Sequence, residues 1–127
     1  MAQNPLNLAV RFALEMIALA SYSYYGWTLI DGALRILPTV AFPLIGAALW
    51  GVFAVPGDKS RSGNTVVPTP GPARLLLEVG FFAAATLAMW ASISVTLALT
   101  FAAVVILHYA LSYDRVMWLL NKDRLDN

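Results

Sequence analysis

Five ionisable side chains stand inside otherwise apolar stretches of this chain: Arg11, Glu15, Arg74, Glu78 and His108. Arg11 precedes Glu15 by four residues, and Arg74 precedes Glu78 by four, so on a helix each arginine lies one turn from its glutamate and can pair with it. Such a pair taken out of water can do one of two things. Closed, each charge offsets the cost of burying the other and the pair is a brace. Opened, the carboxylate becomes a proton or cation site, the default reading of an ionisable group at membrane depth. The rings of Tyr22, Trp50, Tyr109 and Tyr113 are candidates to line such a site, because aromatic faces attract organic cations.

Other chemistries are excluded by what the chain lacks. It has no cysteine, hence no disulfide framework or thiolate metal site, and its single histidine cannot make a multi-histidine zinc centre. No nucleophile motif, zinc signature or phosphate-cradling glycine loop is present, so the reading is not an enzyme, with no catalytic residue, no metal and no cofactor. The net charge of +1 comes from basic residues scattered at segment ends, which form no face for nucleic acid.

The two Arg/Glu pairs belong to a repeat. At an offset of 63 residues Arg11, Leu14, Glu15, Ala20 and Trp27 recur as Arg74, Leu77, Glu78, Ala83 and Trp90. Both copies open an apolar run. With 60% hydrophobic and 12% charged residues and a mean hydropathy of +0.72, a chain of 127 residues cannot hide its apolar surface in a soluble core. Residues 8–30, 33–55, 73–91 and 95–113 each approach the roughly twenty apolar residues needed to cross a bilayer. A cleavable signal peptide does not fit, since no basic residue precedes Arg11 and Glu15 interrupts the would-be apolar region.

The connections 31–32 and 92–94 are short enough to force two antiparallel hairpins. Pro38 and Pro43 are expected to kink or loosen the outer half of the second helix. Residues 56–72, rich in Pro, Gly and Ser, read as a flexible linker, and residues 114–127 as a tail in which the fourth helix runs on for a turn or two. The expected fold is all-α: one transmembrane domain over 1–127, an integral membrane four-helix bundle built from two hairpins in parallel repeat. Arg11, Lys59, Arg61, Arg74, Arg115, Lys122 and Arg124 fall on one side and only Arg35 on the other, which puts both termini in the cytoplasm. Trp27, Trp90 and Trp118 suit the headgroup level.

In this frame Glu15 and Glu78 lie about 6 Å inward of their arginines and His108 about 9 Å inward of Asp114, forming one polar layer in the cytoplasmic half. The leading reading of that layer is structural. The alternative is a small proton-coupled transporter or permeation pathway for an organic cation or other small solute, using Glu15 or Glu78. A second alternative is an accessory or scaffolding subunit, packing on a second copy or another membrane protein through small-residue strips such as Ala47-x-x-x-Gly51 and Ala84-x-x-x-Ala88. In each case the lipid bilayer is the primary partner.

The run from His108 to Leu120, with Tyr109, Tyr113, Asp114, Arg115 and Trp118, resembles the closing signature of the YrdB-like family of small bacterial four-helix membrane proteins. Arg11-x-x-Leu14-Glu15, Leu49-Trp50-Gly51-x-Phe53 and Arg74-Leu75-Leu76-Leu77-Glu78 are similar to that family as well, so the resemblance covers almost the whole chain apart from the linker and the ends. It implies an uncharacterised integral protein of a bacterial plasma membrane and supplies no activity to inherit.

Overall fold

The structure, a computed structural model, describes residues 4–58 and 65–122. Five α-helices make up most of these residues: α1 (Pro5–Leu29), α2 (Ile36–Val52), α3 (Gly71–Ser92), α4 (Val95–Leu111) and α5 (Tyr113–Asn121). A 3-10 turn, Ala33–Arg35, leads into α2. One short parallel pairing joins β1 (Phe53–Ala54) to β2 (Val67–Pro68).

The helix ends follow local chemistry. α1 starts three residues before the apolar run because Asn4 caps it, its side chain accepting the Leu6 N–H at 2.9 Å, while Pro5 has no N–H to satisfy. Ser94 caps α4 in the same way, accepting the Leu97 N–H at 3.0 Å. In α2, Pro38 falls in the first turn, where a missing N–H costs little, but Pro43 lies inside the helix and cannot donate to the Thr39 carbonyl. The hydroxyl of Ser23 on α1 donates to that carbonyl instead, at 2.8 Å. α2 stays helical through Pro43, and its neighbour supplies a donor in place of the one the proline lacks. The two helices approach closely there, since a Cβ on Gly26 would collide with the Pro38 carbonyl.

α1 and α3 occupy the centre. α2 packs on α1, α4 and α5 pack on α3, and α2 and α3 barely touch. Leu14 and Ala18 from α1, Phe81, Phe82, Ala85 and Met89 from α3, and Ala98, Phe101 and Val105 from α4 form the buried core. Most of the remaining large apolar side chains point outward, among them Leu37, Val40, Leu44 and Ile45 on α2 and Val104, Ile106 and Leu107 on α4. An apolar exterior around a thin core inverts the soluble pattern and suits lipid.

By length and composition, two helices could cross a membrane: Ala33–Val52, taken with its 3-10 lead-in, and Gly71–Ser92. A third is reached if α4 and α5 count as one span, although they meet at a 72° bend. At 25 residues α1 is long enough, but Asn7, Arg11, Glu15 and its Ser and Tyr residues dilute its hydropathy.

Two expectations require correction. The fourth helix does not run on past its apolar stretch: it turns by 72° at Ser112 into α5, which folds back onto α3. The reason is visible at Gly71, whose N–H donates to the Lys122 carbonyl at 2.6 Å and whose missing Cβ leaves room for the Leu119 carbonyl. The unpaired start of one helix thus meets the end of another. Nor is the whole of 56–72 a flexible linker. Asp58 and Thr69 are buried, the Thr69 N–H donates to the Ala54 carbonyl at 2.8 Å, and α3 begins at Gly71 within that stretch. Lys59 and Arg61 lie outside the described residues, as does Arg124.

Candidate functional site: a buried carboxylate held by three arginines

Glu78 on α3 has no exposed surface and is the acceptor around which the polar layer is built. Arg74, one turn earlier, donates from Nε to Oε2 at 2.8 Å. Arg11 reaches across from α1 and donates from Nη2 to the same oxygen at 3.1 Å. Arg115 on α5 makes a two-pronged contact, Nη1 to Oε1 at 2.9 Å and Nη2 to Oε2 at 2.8 Å. The Tyr109 hydroxyl of α4 closes the set, donating to Oε1 at 2.6 Å. One carboxylate therefore ties α1, α4 and α5 to α3.

Three guanidinium groups on one carboxylate would leave an excess of positive charge, and two further acids offset it. Asp58 accepts from Arg115, with Nη2 to Oδ2 at 2.6 Å, and this buried pair anchors the chain just beyond β1. Glu15 is the third acid. Arg74 is committed further: its Nη1 donates to the carbonyls of Trp50 at 2.6 Å and Phe53 at 2.5 Å, acceptors left open where α2 ends.

The i, i+4 expectation is met unequally. Arg74 and Glu78 form a close pair, whereas Arg11 has turned its guanidinium to Glu78 and keeps only a 3.8 Å contact from Nε to Glu15. Glu15 instead lies beside the Trp50 side chain, and its own side chain remains 17% exposed. His108 is buried in the same region, with its ring edge-on to Tyr109, yet makes no ion pair among the described residues, and its Nδ1 has no partner there. No group of three His, Asp or Glu side chains converges closely enough to hold a metal ion among the described residues.

Of the aromatic residues, Trp50 lies under both Arg11 and Arg74, whose guanidinium carbons stand 5.0 and 4.4 Å from its ring centre. Its cation-binding surface therefore serves the protein's own cations. Tyr22 donates from its hydroxyl to the Phe81 carbonyl and lines a groove between α2 and α3. Tyr109 belongs to the cluster, but Tyr113 does not: it is 66% exposed on the outer face of α5. The 72° turn at Ser112 carries Tyr113 outward and Arg115 inward.

Arg115, Asp58 and Asn7 are the site residues that sequence reading missed. In the sequence Arg115 stands out only as one of the basic residues that mark the cytoplasmic side. Asn7 donates to the Ser112 hydroxyl at 2.7 Å, tying the start of α1 to the bend. No spacing rule announces that contact.

The fold and the cluster define a class: a helical protein with membrane-length apolar helices, held at one end by buried ion pairs. Within it, the chain belongs to the family described as "Protein of unknown function (DUF2568)", whose profile matches residues 9–106. It is 40% identical over 119 residues to the "Uncharacterized protein YrdB" of Bacillus subtilis (strain 168), an alignment covering 94% of this chain and 97% of that protein. No solved structure matches it.

Proposed function

We propose that this is a multi-pass protein of a bacterial plasma membrane, with four spanning helices and both termini cytoplasmic, in which the Glu78 cluster is a structural clamp. The observation that carries the reading is the saturation of Glu78: a fully buried carboxylate that accepts from three arginines and a tyrosine is held too firmly to exchange ligands. Support for four spans comes from the apolar exterior and from α1, whose polar residues Asn7, Arg11 and Ser21 turn inward against other helices. The bulk of the basic residues at the clamp end favours that end as cytoplasmic. Glu78→Gln tests the clamp: it should lower the thermal midpoint and the accumulated amount of protein far more than Glu15→Gln, and equal effects would remove the reading.

A second reading, passage of a small solute coupled to a proton, is favoured by one observation. Glu15, the repeat partner of Glu78, stands outside the clamp with part of its side chain exposed. Transport, on this reading, belongs to Glu15 alone, and Glu78 drops out of it.

A further inference from the structure

The 72° turn at Ser112 sets α5 almost at right angles to α4. Spanning helices tilt by about 20° on average from the bilayer normal, so a spanning α4 lays α5 close to the plane of the membrane, at the face that holds the Glu78 cluster. With nine residues α5 is far too short to cross lipid itself.

At 3.6 residues per turn its side chains sort into three faces, roughly a third of a turn apart. Arg115 and Leu119 are buried against the fold, with Arg115 on Glu78 and Asp58. Tyr113, Met117 and Leu120, spaced i, i+4 and i+7, make an exposed apolar stripe that half-buried Val116 flanks. Asp114 and Asn121 are exposed on the third face. Trp118 lies beside them, half-buried, with the Lys122 ammonium 5.9 Å from its ring centre. A helix docked on a protein in water needs one buried face and one polar face. α5 has a third, apolar and uncovered, which water does not explain.

Three observations point to lipid as its cover. The stripe follows directly on Leu107 and Leu111, exposed near the end of α4, so the apolar exterior of α4 continues round the bend onto α5. The polar face is turned well away from the stripe, as a helix lying between hydrocarbon and water requires. Charge narrows the chemistry further, because helices drawn to a membrane by its anionic lipids carry lysine and arginine on the polar face. Here Arg115 is spent inside the cluster, and residues 114–127 hold three acidic and three basic side chains. The attachment is therefore apolar and asks for no anionic lipid.

We propose that α5 is an interfacial helix of the cytoplasmic leaflet. Its stripe of Tyr113, Met117 and Leu120 enters the boundary between headgroups and acyl chains, Asp114 and Asn121 face the cytosol, and Arg115 stays locked to Glu78 and Asp58. Leaflet and clamp then hold one short helix from two sides, so lifting α5 off the lipid strains the Arg115 contacts. The proposal rests on α4 spanning the bilayer.

The test puts the full chain in nanodiscs of zwitterionic lipid. Because the chain has no cysteine, one nitroxide at a time can be attached through Tyr113→Cys, Met117→Cys, Leu120→Cys, Asp114→Cys or Asn121→Cys, with Leu44→Cys in the middle of α2 as the control. Relaxation by oxygen, which concentrates in lipid, against relaxation by a water-soluble nickel chelate gives the depth of each label. The control should be deepest, labels at 113, 117 and 120 should sit about 5–10 Å into the boundary, and labels at 114 and 121 should be in water. Added anionic lipid should leave these depths unchanged, and labels that enter only when it is present would overturn the apolar attachment. A control label in water removes the membrane reading and this proposal together. A control label in lipid, with 113, 117 and 120 as open to nickel as 114 and 121, removes the proposal alone. Labels on the stripe screened from oxygen and nickel alike would show a protein partner there, and all five as deep as the control would show a re-entrant loop; either overturns it. In the same nanodiscs Met117→Asp should speed protease cleavage of α5 at least five-fold, while Asn121→Asp, the same charge on the water face, leaves it unchanged. Equal rates in the two variants would overturn the anchoring of α5 by its stripe.

Discussion

The hydroxyl of Ser23 stands 2.8 Å from the Thr39 carbonyl oxygen, the acceptor that Pro43 cannot serve. This contact gives the carbonyl orphaned by Pro43 a donor from α1, the helix on which α2 packs. In lipid, an unserved carbonyl has no water to turn to. Ser23→Ala should therefore destabilise the protein by about 1–2 kcal/mol in detergent unfolding. In a Pro43→Ala background, where the helix regains its own donor, the same change should cost close to nothing. A serine effect that is the same in both backgrounds would show that the contact does not stand in for the proline.

Arg115 joins α5 and the Asp58 strand end to Glu78. Removing it leaves two buried carboxylates short of a partner, so Arg115→Met should cost about 3–5 kcal/mol, the range for breaking a buried pair from one side. Hydrogen exchange should rise in 65–70 and in α5 before it rises in α3. If α5 keeps its protection, its apolar contacts and the Gly71 hydrogen bond are what hold it, and the charge is secondary.

Two glycines mark the closest backbone approaches and lie in different halves of the chain. A methyl group at Gly71 would strike the Leu119 carbonyl, and one at Gly26 the Pro38 carbonyl. Gly71→Ala and Gly26→Ala should each destabilise by about 1–3 kcal/mol, as overpacking does. Gly71→Ala should also free α5 to proteolysis, whereas Gly26→Ala should leave α5 protected. Loss of α5 protection in both variants would mean that the halves do not yield separately.

The chain has no cysteine, so single-cysteine variants report orientation directly. Asp31→Cys, between α1 and α2, should react with an impermeant thiol reagent added outside intact cells. Asn121→Cys, at the end of α5, should react only after the membrane is opened. Labelling of both from one side would refute the four-span orientation.

The repeat, the long apolar segments and the Arg/Glu spacing were all readable because each is a matter of residue type at fixed intervals, which a helix converts directly into position. Glu78 as the centre was not readable, because at sequence level Glu15 and Glu78 have the same local context. What separates them is the arrival of Arg115, and that depends on the 72° turn at Ser112, where no proline or glycine marks a break. The ordered ends of the supposed linker escaped for a related reason: Asp58 is buried by a partner 57 residues away. Tyr113 was placed on the wrong side by assuming a straight helix through the same turn.

Arg11 ends up on a carboxylate 67 positions downstream, and that distance has a consequence for biosynthesis. The ribosome finishes the first hairpin before Glu78 exists, so a nascent chain entering lipid can offer Arg11 only Glu15 as a counter-ion. Glu15 would then be the first partner, and the 3.8 Å contact that Arg11 keeps with it once α3 docks would be the remainder of that pairing.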